Sequence, residues 1–327
     1  MGLNAPVTET RTSMTAAAPE PVTLPAELVS QYARFSLYNS PYRAHDGGQA
    51  IDCYPGTLRD GRTTAAPSPV SGTVRETTTV RAPPKPYAPE HDFLILVDVD
   101  EPVELEGLVA RVLHVDPTVE TGDRVERGES LGELVRAGFF APWVDNHLHV
   151  GFRRPDRNLR RASGSLPLEI GDGVDCRPLE WDGTGTVVAA GETYAVLDAP
   201  THPDPGETFV GIRADGGGVL DGGIPHYDSG GVLRGPAARD GHERAEPGRH
   251  VSLNDDRLGT VGDDGRTIAW DESTVTANGD PITGLSTFCA RDGDFGAKLI
   301  CPDRRFSIGE RVVVRVRGGA SGGVASR

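Results

Sequence analysis

His147 and His149 stand two apart in the segment DNHLHVGF. Val144, Leu148, Val150 and Phe152 around them predict a short strand, on which alternate residues face the same way. The two imidazoles then project side by side, one able to bind a metal and the other to handle a proton. As ordinary polar residues on a sheet surface they would do neither. A lone His-x-His is a weak motif, so its weight depends on what else the chain offers. His45 opens HDGGQAIDCYPG, which carries Asp52, and His114 lies in RVLHVDPTVETGDRV. Three nitrogen or oxygen ligands with a fourth position open make a catalytic zinc site, and His45, Asp52 and His149 can supply them. Such an ion makes water acidic enough to act as a nucleophile near neutral pH. His114 and His147 are then available to move a proton or to stabilise an oxyanion. His91, in a proline-rich stretch, is not expected to take part.

The segments that must position these residues read as short strands between Gly, Pro and Asp turns. AIDCY, SGTVRETTTV, FLILVDVD, LVARVLHV and HLHVGF are the strands of the first half. LPAELVSQYARFSLYNS, residues 24–40, is expected to hold one short helix or turn. RAPPKPYAPEH, residues 81–91, is a loop that no strand could hold. TGDRVERGESLGEL, residues 121–134, reads as paired turns around Val125 and Leu131.

Taken in order, these motifs resemble the lysostaphin-type (LytM-like) zinc metallopeptidases over residues 40–155. The resemblance rests on the His45…Asp52 motif beside a glycine turn and on AAPSPVSGTV at 65–74. It rests further on His114 followed by VETGDRVERGESLG at 119–132, and on the terminal HLHV. It implies a two-sheet β domain with the site in a groove, zinc held by His45, Asp52 and His149, and His114 and His147 as catalytic histidines. It also implies hydrolysis of peptide or amide bonds. Six residues separate His45 from Asp52, where the family has three, and Val150 replaces the family's phenylalanine.

Composition limits the alternatives. The chain has 327 residues, enough for two domains with separate cores. Its 42 glycines and 26 prolines favour a mostly β protein. The formal net charge is -15, and only Lys85 and Lys298 are lysines among the 33 basic residues. An acidic, arginine-dominated surface fits a halophilic protein, where salt screens the repulsion. It argues against nucleic-acid binding, which needs a basic footprint. No apolar run is long enough to span a membrane, and the N-terminus lacks a secretory pattern, so the expected location is cytoplasmic. Cys53, Cys176, Cys289 and Cys301 are expected to be buried thiols, with a Cys289–Cys301 bridge as the alternative.

The expected organisation is a disordered leader (1–23), a LytM-like domain (24–155), a basic solvated linker (156–165, within RRPDRNLRRASGS), a second β-rich sandwich or barrel (166–318) and a flexible tail (319–327). The second half shows strands at GTVVAAG, TYAVLDA, TFVGIRA, TIAW and RVVVRVR, with a polar loop around 236–250. His226 and Asp228, in GGIPHYDSGGVL, are read as part of a polar turn, since Gly, Asp and Ser are turn formers. The second half is expected to bind a substrate or partner, or to cap the groove. Two further functions are weighed against the hydrolase. A non-catalytic LytM-like scaffold would bind a partner or glycan. A lipoyl- or biotinyl-type carrier shares the hybrid hairpin grammar but needs a lysine at an exposed hairpin, and neither Lys85 nor Lys298 has that setting.

Overall fold

The computed structural model describes residues 19–233 and 246–318. Residues 1–18 of the expected leader, most of the polar loop and the tail from residue 319 lie outside the described residues. Among the described residues the chain is almost entirely β, with short helices at Ala26–Val29 and Arg43–Asp46. No helix among them is long and apolar enough to cross a membrane.

Alternation builds the strands. In Arg311–Gly318 every second residue is a buried valine (Val312, Val314, Val316), while Arg311, Val313, Arg315 and Arg317 face solvent. Ile51–Tyr54 and Leu148–Arg153 differ, because almost every residue in them is buried. One face of this pair sends Ile51, Cys53, Leu148, Val150 and Phe152 into the main apolar cluster. The other face carries Asp52, Tyr54 and His149.

The two strands pair antiparallel, with Leu148 opposite Cys53 and His149 opposite Asp52. They lie at the centre of a ten-stranded sheet. On one side follow Val109–Leu113, His91–Glu101, Ser71–Arg81 and Arg124–Val125. On the other side come Arg34–Ser36 and then Cys289–Ala290, Phe209–Ile212 and Cys176–Leu179. The C-terminal half thus extends the sheet that the N-terminal half begins. It also forms a twelve-stranded sheet of its own, packed around a second apolar cluster that includes Trp181, Leu220, Ile268, Leu285 and Val312.

Two expectations need correction. The strand Val22–Leu24 pairs in parallel with Leu168–Ile170, so ordered chain begins inside the stretch expected to be a leader. His91 starts a strand instead of lying in the loop, which is the turn between two long strands. The basic segment 154–164 is mostly exposed and is tethered at a few points. Arg153, 1% exposed, donates to the Asn158 and Arg161 carbonyls, and Arg111 donates to the Leu159 carbonyl. An irregular segment leaves carbonyls unpaired, and these two guanidinium groups satisfy them. The four cysteines are free and buried, as expected, and the alternative Cys289–Cys301 bridge is not formed.

Candidate metal centre

Each histidine of the site is held by a different local device. His45 lies in the helical turn Arg43–Asp46 and is 1% exposed. Gly47 and Gly48 follow, and Gly48 has φ of +59°, a conformation glycine adopts at little cost. This turn takes up the extra residues between His45 and Asp52, and His45 still reaches the carboxylate: its Nε2 is 3.3 Å from Asp52 Oδ1. His149 comes to the same point by strand pairing. Its Nδ1 is 2.9 Å from Asp52 Oδ1 and 3.1 Å from His45 Nε2.

These three atoms form a triangle that suits a small cation. Zinc ligands at about 2.0–2.1 Å in a tetrahedron stand roughly 3.3 Å from one another, close to the three separations above. The tautomers agree. His45 Nδ1 donates to the Leu37 carbonyl at 2.7 Å, which leaves the Nε2 lone pair of the neutral ring aimed at the cluster. His45, Asp52 and His149 are the one group of three potential ligands brought together among the described residues.

Electrostatics describe the same cluster. Burial works against charge on Asp52, but His147, His45 and His149 hold its carboxyl well below the usual range. Burial also works against charge on His45, but Asp52 and the Leu37 carbonyl outweigh it and raise its pKa. His149 and His147 are both pushed down to about 4 by burial, against the pull of Asp52. Three lone pairs crowded around one carboxylate call for a proton or a metal ion between them.

His114 and His147 flank the triangle. Their rings are 5.2 Å apart, and His114 is 5.8 Å from the His149 ring. His147 stacks on Phe140 at 4.5 Å and donates through Nδ1 to the Asp145 carbonyl at 2.9 Å. Its Nε2 is 3.4 Å from Asp52 Oδ1. His114 interrupts the chain between Leu113 and Val115 with φ of +73°, a strained conformation for a residue with a side chain. Its Nδ1 meets Asp92 Oδ2 at 2.6 Å. Phe139, Phe140, Tyr42 and Tyr227 close a cleft over Asp52, His114, His147 and His149.

Asp92 was not foreseen from the sequence. It is fully buried at the head of an apolar strand, and an acid that opens such a run is the signal that could have found it. Asp221, also fully buried, was missed as well. Its carboxylate accepts from the Ser36 hydroxyl and from the Leu37 N–H at 2.7 Å. The Leu37 carbonyl in turn orients His45, so a residue of the C-terminal half steadies a candidate ligand of the N-terminal half. His226 and Asp228 lie elsewhere, in the turn of the Val219–Ile224 and Ser229–Leu233 hairpin.

Residues 23–170 match the family model described as "Domain of unknown function (DUF8155) N-terminal domain". Residues 177–317 match that of the DUF8155 C-terminal domain. Between them the two models span most of the chain, which belongs to the DUF8155 family. Among curated proteins nothing matches it. Solved structures with some likeness include an M23 metalloprotease, pseudoalterin from the deep sea. It is 15% identical, with 43% of this chain and 74% of that one covered at a TM-score of 0.26. Another is the SpoIIQ–SpoIIIAH pore-forming complex, 21% identical, with 37% and 65% covered at a TM-score of 0.20. Overlaps this slight carry no argument about the activity of this chain.

Proposed function

We propose that the protein is a zinc-dependent hydrolase of peptide or amide bonds, with a LytM-like arrangement of His45, Asp52 and His149 as metal ligands. One observation carries the reading: three donor atoms from separate elements converge within 2.9–3.3 Å, beside two further imidazoles in a cleft. Zinc, when bound, supplies Lewis acidity that polarises a carbonyl and makes water acidic near neutral pH.

The chain's own residues divide the remaining work. His114 donates its Nδ1–H to the Asp92 carboxylate, which fixes the ring and its tautomer. Its Nε2 is therefore suited to take a proton from the attacking water and to pass it to the leaving amine. Asp92 acts through His114 and is a positioning residue. His147 has its Nδ1 proton committed to the Asp145 carbonyl, and burial keeps the ring neutral. Its Nε2 accepts a hydrogen bond from the water or the substrate amide and orients it. Phe140 and Tyr54 clamp the ring between them, which spares the entropy of fixing it during reaction.

The test is metal content by elemental mass spectrometry on the whole chain and on an Asp52→Ala, His149→Ala double variant, followed by amine release from a panel of peptides and amides. About one zinc per chain, absent from the double variant, with amine release that depends on zinc, supports the proposal. Bound zinc without hydrolysis would leave a non-catalytic scaffold. Failure to bind zinc after reconstitution would overturn the metal site itself.

A further inference from the structure

A second cleft adjoins the metal cleft, and no role has been assigned to it. Asn39, Val144 and Tyr227 line both, while the second is lined in addition by Arg34, Lys298, Asp145 and Trp143. Arg34 and Lys298 are almost wholly buried, at 2% and 4% exposure. Both turn to one oxygen: Asp145 Oδ2 lies 3.1 Å from Arg34 Nη2 and 2.8 Å from Lys298 Nζ. Two cations thus share the Asp145 carboxylate as their ion-pair partner, while Arg34 also donates to the Gly56 and Thr57 carbonyls and interacts at longer range with Asp292. Burying charge without a full set of partners is costly, and an anionic ligand would add one here.

The surroundings reinforce the sign. Arg62 and Arg136 grip the carbonyls of Ala141, Pro142 and Val144 just before Asp145. A protein of formal net charge -15 therefore concentrates four cationic side chains around one segment of its cleft. Low-dielectric walls focus such a field on an incoming anion. The Trp143 indole lines the same cleft and is hydrogen-bonded to Tyr227.

Tyr54 links the two clefts. One ring carries the Arg34 guanidinium at 4.6 Å and the His147 imidazole at 4.9 Å. An anion at Arg34 and Lys298 would stand up to about three residues of extended chain, at roughly 3.3–3.6 Å each, from a group held at His147. We infer that the Arg34–Lys298 cleft is a subsite for a carboxylate of the substrate, either a free C-terminus or an acidic side chain. The inference deepens the hydrolase reading and rests on it for the nature of the ligand. Lys298 comes from the strand Lys298–Ile300 of the C-terminal half, so that half joins Arg34 of the N-terminal half in the subsite, while the N-terminal half supplies the metal ligands.

Glutarate serves as the probe and glutaramide as its neutral counterpart. Binding of each to the full chain is measured by titration calorimetry, with and without added zinc, and zinc content is read on the same samples. The expected result is at least ten-fold tighter binding of glutarate, zinc-loaded or zinc-free. Lys298→Met should abolish that preference and keep its zinc, because Arg34 still pairs with Asp145; Lys298→Arg should restore it. Equal binding of glutarate and glutaramide by the zinc-free protein, or a preference unchanged by a folded Lys298→Met, overturns the subsite. Should Lys298→Met not fold, the glutarate–glutaramide comparison on the unaltered chain decides alone. A preference in a protein that never binds zinc would support the subsite and sink the metal reading, whereas zinc without a preference would do the reverse.

Discussion

Two glycine-rich turns of this protein each carry a histidine and an aspartate, and only one of them gathers a site. In the first, His45 and Asp52 bring their side chains together, and a strand from a hundred residues further on adds His149. In the second, His226 is half-buried against Trp143 and Tyr227, while Asp228 is exposed. Gly223 and Gly284 press on the His226 ring so closely that an added Cβ would come within 2.6 Å and 2.4 Å of its nitrogens. The residue types are alike. What differs is the neighbouring strand: Leu148–Arg153 presents a third ligand to the first turn, and glycine backbone walls in the second. Composition of a loop is thus a poor guide to chemistry, and the register of the strand beside it is a better one.

The sharpest way to break this contrast is Asp52→Ala, which should take zinc from about one per chain to a trace, read by elemental mass spectrometry. Retention of the metal would show that the triangle is not the site. Asp92→Asn should keep the metal and lower amine release roughly 10²- to 10⁴-fold, the scale seen when a histidine loses the carboxylate that orients it. A loss of zinc in that variant would make Asp92 part of the metal's support instead.

Asp221→Asn probes the bond between the halves. Burial pushes the Asp221 carboxyl up to about 7, against the Ser36 hydroxyl and the Leu37 N–H. Between about pH 4 and 7 the folded chain keeps a proton that the unfolded chain has released, so stability falls as the pH rises through that window. The asparagine variant should lose this slope, measured by denaturant unfolding across pH. A slope that persists would assign it to other groups. The smallest effect belongs to His226→Ala, which should leave zinc content and amine release unchanged. A drop in metal there would erase the distinction between the two turns.

Much of the strand layout was legible because alternation is local. The pairs Ile51/Cys53 and Leu148/Val150 announce a buried face, which leaves Asp52 and His149 on the opposite one. What stayed hidden depends on register. Nothing near Asp92 in the chain points to His114, and nothing near Asp221 points to Leu37. Lys298, weighed only as an attachment point, is instead a buried partner of Asp145. A lysine inside the apolar run GAKLIC was a signal of its own, since an isolated buried ammonium needs a partner.

The bond from Asp221 to Leu37, and from Leu37 to His45, bears on how such a protein can be inherited. A recombination event between residues 170 and 177 would separate two stretches that look self-sufficient. It would also part His45 from the carboxylate that steadies its anchor, and cut the central sheet at Cys289–Ala290. Exchange at that seam should be tolerated only when both stretches travel together, which makes the pair, and not either stretch, the unit to transplant when grafting this site onto another chain.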